Sequence, residues 1–157
     1  AASGPHASGP AGAAASGPAG AVGAALTVGA FHTFAAGVER GEDVSGRAVM
    51  LRAGQGATVV VVVVAGLSAG VTYGAHVHAL ACDDAAAGGH YKFPSAVPGG
   101  AGDLHDEIWP GPVTADEAGV AVGATVVGAV AGPGAVSVVV HDADGAKIAC
   151  ADLLGLP

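Results

Sequence analysis

Bulky side chains are scarce in this chain: three Phe, two Tyr, one Trp and one Met in 157 residues. That excludes an architecture of helices packed through large ridges, and the apolar 52%, almost all Ala and Val, suits short strands instead. Positive charge is scarce as well. Five basic residues stand against thirteen acidic ones, for a formal net charge of −8, and no Lys/Arg cluster occurs, which sets aside nucleic acid and anionic membranes as partners. Long apolar runs are missing. The longest, Val59 to Ala65, falls far below the ~20 residues of a spanning helix, so no membrane span is expected and the run reads as a buried strand. There is no Cys-x-x-Cys. Cys82 and Cys150 are the two cysteines, and spacing alone leaves both one disulfide and two free thiols open.

What is present divides in two. Residues 1–22 repeat Ala-Ser-Gly-Pro at 2–5, 7–10 and 15–18; a segment of that composition buries no core and reads as a flexible leader or linker. The chain starts without Met, so the expectation is a mature form whose export signal has been removed, placed outside the cytoplasm. Residues 23–157 are expected to form one all-β domain. Strand-like runs cover 26–34, 47–52, 57–65, 72–80, 120–127, 135–141 and 147–153, with turn chemistry at Gly54-Gln55-Gly56, Ser68-Ala69-Gly70, Ala131-Gly132-Pro133-Gly134 and Asp144-Gly145. No segment carries a capped helical stripe. The stretch from about 81 to 112 is rich in Gly, Pro and Asp, and a loop of that length inside a small domain is a candidate functional loop.

Histidines supply the chemistry. His76 and His78 in Ala75-His76-Val77-His78 share one face of a strand, because successive side chains alternate. Such a pair is a two-ligand clamp, although a solvated pair is commoner. His90 in Gly88-Gly89-His90-Tyr91 and His141 in Val139-Val140-His141-Asp142 can join it if the chain folds as a sandwich. An all-imidazole set suits copper and zinc, and in a tetragonal arrangement favours Cu(II). His6, His32 and His105 stand singly and take the reading of solvated side chains.

The segment Ala65-Gly66-Leu67-Ser68-Ala69-Gly70-Val71-Thr72-Tyr73-Gly74-Ala75-His76-Val77-His78 closely resembles the strand-turn-strand that carries the first two copper ligands in the copper/zinc superoxide dismutase family. Gly88-Gly89-His90-Tyr91 resembles its bridging-histidine element, Val138-Val139-Val140-His141 the strand ending in the fourth ligand, and Lys147-Ile148-Ala149-Cys150 the terminal strand. The resemblance spans about residues 57–153. It implies an eight-stranded Greek-key β-barrel or sandwich, copper held by His76, His78, His90 and His141, a Cys82–Cys150 disulfide, and copper-dependent dismutation of superoxide.

Two departures resemble the copper-only branch. The loop after His90 lacks the histidines of a full zinc site. Gly102-Asp103-Leu104 resembles the segment with the zinc aspartate, and Asp103, His105 and Asp106 are the second-metal candidates, but zinc is expected to be absent. The long loop that roofs the copper channel is also missing between His141 and Cys150. In this branch a carboxylate holds the bridging histidine in zinc's stead, a placement that fixes imidazole orientation, and Glu107 is the candidate, ahead of Asp106 and Asp103. Lys147 stands where the family carries an anion-guiding arginine; it keeps the charge without the planar fork. Lys92 reads as a solvated charge. The catalytic set is thus His90, Glu107 and Lys147, the partner superoxide, and a monomer is favoured. The competing reading is a non-catalytic copper-binding or chaperone module on the same fold, which the missing Cys-x-x-Cys disfavours.

Overall fold

The computed structural model describes residues 24–94 and 106–156. Asp103, His105 and the leader lie outside them. Among the described residues ten strands form two antiparallel five-stranded sheets, β10-β1-β3-β4-β7 and β2-β9-β8-β5-β6. The strands are β1 Ala25–Ala30, β2 His32–Thr33, β3 Ser45–Ala53, β4 Ala57–Ala65, β5 Thr72–His78, β6 Val113–Thr114, β7 Ala121–Val127, β8 Ser137–His141, β9 Lys147–Asp152 and β10 Leu154–Gly155. Only Phe31 separates β1 from β2, and only Leu153 separates β9 from β10. Each of these pairs is therefore one run of chain that passes from one sheet to the other, and the ten strands amount to eight runs.

These two runs pair with each other in both sheets, β1 with β10 and β2 with β9, and so close one corner of the sandwich. The chain crosses between sheets again from β4 to β5, while β4 pairs with β7 and β5 with β8. The interior between the sheets is filled by small aliphatic residues: Ala48, Met50, Val60, Val62 and Val64 on one side, and Val77, Val138, Val140, Ile148 and Ala149 on the other, all fully buried. Most of the chain's few large side chains, Phe31, Tyr73, Tyr91, Phe93 and Ile108, lie in the same core.

Three expectations are corrected. The run expected at 26–34 is interrupted at Phe31, whose buried ring anchors the corner between sheets. The Val-rich run 59–65 is not buried throughout. It alternates, with Val60, Val62 and Val64 inside, Val59 and Val61 half-buried, and Val63 exposed, because its sheet is covered on one face. A five-residue helix, α1 (Ala35–Glu39), follows β2, where no helix was anticipated.

The approach to β5 is fixed from the buried end. The Tyr73 hydroxyl donates to Glu42 Oε1 and accepts from the Ser68 backbone N–H at 3.0 Å, while Ser68 Oγ donates to the same carboxylate oxygen at 3.1 Å. A buried polar cluster of this kind fixes where the strand starts, and hence which face His76 and His78 occupy. Among the described residues no helix is long and apolar enough to cross a membrane.

Candidate metal centre

Tyr73, Ala75 and Val77 of β5 point into the core, so alternation sends His76 and His78 to the outer face of their sheet. The neighbouring strand β8 lies antiparallel with His141 opposite Gly74 and Val139 opposite His76. Gly74 lies directly beside both rings: a Cβ there would stand 3.5 Å from His76 Cε1 and 3.7 Å from His141 Cβ, at ordinary contact distance. His90 arrives from the loop after β5. The loop folds back on the strand through Ala79 N–H to Gly89 O (3.0 Å) and Tyr91 N–H to Val77 O (2.8 Å), which sets His90 beside His78.

The four rings meet. One nitrogen from each of His76, His78, His90 and His141 lies within 4.8 Å of the others, and the ring of His76 is 4.1 Å from that of His90 and 4.9 Å from that of His141. Outer nitrogens are engaged elsewhere: His78 Nδ1 with Gly88 O at 3.1 Å, His141 Nδ1 with Gly145 O at 3.3 Å, and His90 Nδ1 with Glu107 Oε2 at 2.8 Å. Inner nitrogens have only one another. His78 Nε2 faces His141 Nε2 at 3.0 Å, and His76 Nδ1 is buried with no hydrogen-bond partner. An orphaned buried nitrogen is destabilising by roughly 1–3 kcal/mol, and a cation at the centre of these lone pairs would remove that deficit. The residues fit a metal ion, and the all-imidazole donor set suits copper or zinc.

The electrostatics agree. Burial, helped by repulsion from the neighbouring His90 and His141 rings, lowers His76 from 6.5 to about 4; burial with His141 and His90 lowers His78 to about 3. Burial also pushes His141 down, against the hydrogen bond to Gly145 O that favours its charged form. Neutral imidazoles at physiological pH are the form a metal requires.

Around this set lies a ring of polar partners. Glu107 accepts from His90 Nδ1 and, at the same Oε2, from the indole Nε1–H of Trp109 at 2.7 Å; its Oε1 is 3.4 Å from Lys92 Nζ. Burial works to raise the Glu107 carboxyl, but the bonds from His90, Trp109 and Lys92 outweigh it and hold the group below its ordinary value. Lys147 Nζ donates to Ala86 O and Gly88 O, both at 2.6 Å. Its charge is felt at the centre, where it opposes protonation of His78 and His141. The loop carrying those carbonyls is tightly wound: Ala85, Ala86 and Ala87 have φ of 46°, 49° and 67°, a left-handed conformation unfavourable for alanine. It is fastened by the Cys82–Cys150 disulfide, and Cys82, Ala87, Val139 and Cys150 form a second small core beneath it, with Phe34 against its side.

The structure thus brings His76, His78, His90 and His141 together, with Glu107 and Lys147 beside them. Asp106 is buried, and it meets Phe93 through its backbone oxygen, which accepts the Phe93 N–H at 2.8 Å; it is not part of the four-histidine group. Two neighbours escaped the reading of the sequence. Lys92, taken as a solvated charge, pairs with Glu107, and Trp109 bonds to it. The available signal was the i, i+2 spacing of Glu107 and Trp109, which puts both on one side of an extended segment.

The fold is the β-sandwich of the copper/zinc superoxide dismutase type. Among solved structures, superoxide dismutase 5 of Candida albicans, in a glutamate-to-alanine mutant form, superimposes with a TM-score of 0.59 at 18% identity over 85% of this chain and 90% of that one. An aspartate-to-asparagine mutant of the same enzyme gives 0.55 at 17% identity over 85% and 93%. At this identity the likeness is one of fold. No protein-family model and no curated protein matches the chain.

Proposed function

We propose that the protein is a copper-dependent superoxide dismutase of the copper-only kind, acting outside the cytoplasm. The observation that carries this reading is the convergence of four imidazoles with an orphaned inner nitrogen on His76, on a fold shared with a superoxide dismutase. His76 Nδ1 and the Nε2 atoms of His78, His90 and His141 would hold the ion. Bound copper supplies one-electron chemistry, taking an electron from one superoxide to give oxygen and returning it to a second, which leaves as hydrogen peroxide with two protons.

The chain's own residues do the rest. Glu107 accepts the Nδ1–H of His90 and so turns its Nε2 lone pair inward. The His90 side chain keeps 29% of its exposure, which gives it a path to solvent for taking up a proton at Nε2 and passing it to reduced dioxygen at hydrogen-bond distance. Lys147, held on two carbonyls, leaves its third N–H and its charge for the anion. That local charge matters because the whole molecule, at −8, repels superoxide, and repulsion from distant groups fades beyond the Debye length of ~8 Å. The turn from Asp142 to Ala146 is short, and among the described residues it adds no roof over this side. Zinc has no part in this reading, and the disulfide favours an oxidising compartment.

Metal analysis of protein loaded with copper and zinc together, coupled to a superoxide-consumption assay, tests the proposal. One equivalent of copper, zinc near none and loss of activity in His90→Ala are expected. Stoichiometric zinc with no copper, or copper without turnover, would overturn it in favour of a zinc site or a copper store.

A further inference from the structure

Trp109 is the chain's single tryptophan. It is 48% exposed, and two contacts tie it to the histidine cluster. Its Nε1–H donates to Glu107 Oε2 at 2.7 Å, the oxygen that also faces His90 Nδ1, and its ring lies 4.6 Å from the ring of His76. The two oxygens of an ionised carboxylate are equivalent, so what its donors fix is the orientation of its plane: Lys92 is beside one oxygen and Trp109 on the other, and that plane brings the Trp109-bonded oxygen to His90.

We propose that Trp109 is a positioning residue for the metal centre, fixing Glu107 on His90 through its indole N–H and screening His76 from solvent with its ring. The inference rests on the copper reading above. It assigns to the tryptophan a role in orienting a ligand that is distinct from surface packing: a ring that merely packs would be replaced by phenylalanine without consequence, whereas the N–H would not. Because this residue acts through Glu107, the expected effect falls toward the lower part of the 10–100-fold range found for partners that orient metal ligands.

Copper(II) titrated into the metal-free wild type should quench the tryptophan emission fully at one equivalent; copper bound without quenching would overturn the placement of the ring. Trp109→Phe, Trp109→Ala and Glu107→Gln, loaded with copper(II), are then compared by electron paramagnetic resonance and by the rate of copper loss to a chelator. Both Trp109 variants should shift the spectrum in the same sense as Glu107→Gln and lose copper about tenfold faster. A Trp109→Phe protein with wild-type spectrum and wild-type copper loss would overturn this inference alone. Wild-type protein that takes up no copper would overturn the copper reading and this inference with it.

Discussion

The two sheets share a core and differ completely on their outer faces. On the β2-β9-β8-β5-β6 sheet the outer face is covered by the loop between Ala79 and His90, so that β8 is buried at every residue and polar groups can be held there out of water. The other outer face is bare and aliphatic among the described residues. The register aligns Leu154, Val28, Val49, Val61 and Ala124 in one row, Leu26, Leu51, Val59 and Val126 in the next, and Ala30, Arg47, Val63 and Val122 in a third. Val122 and Val126 are 65% and 71% exposed. The difference teaches that the loop, more than the sheet, makes the site: both sheets are small-residue antiparallel surfaces, and only the covered one offers the low-dielectric setting that keeps imidazoles neutral.

The sharpest way to break this contrast is at the ligands. His78→Ala should lower copper affinity by more than about a hundredfold, beyond the 10–100-fold of an outer partner, while Val126→Lys on the bare sheet leaves it unchanged; competition with a chromogenic chelator reads both. Uncovering the site is the second. Cys82→Ser with Cys150→Ser releases a loop closed over a sequence separation of 68, which on the chain-entropy model removes about 4 kcal/mol of stability in a denaturant titration. It should also speed copper loss, because the loop carrying His90 is then held only by hydrogen bonds and the packing of Ala87 and Tyr91.

Acid acts on the same face. In the unfolded chain the imidazoles titrate near 6.5, in the folded chain His76 at about 4 and His78 at about 3. As pH falls the unfolded state takes up these protons first. The metal-free protein should therefore hold its full stability above 6.5 and lose it progressively through the window down to 4 and 3. A stability that stays flat from pH 7 to 4 would show that the rings are not sequestered. The smallest effect separates the two sides of β4: Val60→Ala, inside, should be destabilising by about 2 kcal/mol, and Val61→Ala, outside, by less than about 1 kcal/mol, measured by denaturant midpoints.

Much of this was legible in the sequence. The alternation that puts His76 and His78 on one face follows from strand periodicity, and the resemblance led from there to His90, His141, Glu107 and the cysteine pair. What stayed hidden depends on tertiary cover. A continuous valine run does not say which of its faces a second layer will reach, so Val63 was read as buried. β6 is two residues long and exists because β5 offers it an edge, with no pattern of its own. The change of sheet at Phe31 follows from pairing with β9 and β10, more than a hundred residues away along the chain. Trp109 and Lys92 gained their roles only when the extended segment carrying Glu107 met His90.

One oxygen joins two parts of the chemistry. Gly88 O accepts from both His78 Nδ1 and Lys147 Nζ, and a carbonyl already polarised by an ammonium is a poorer acceptor for an imidazole. On the proposed reading, the lysine that would attract superoxide also sets how electron-rich His78 is, and so the reduction potential of a copper ion bound there. Exchanging Lys147 for a neutral side chain would change both encounter with the anion and the driving force of the electron transfer that follows; measurements of rate against ionic strength and of midpoint potential would have to be made on the same variant to tell the two apart.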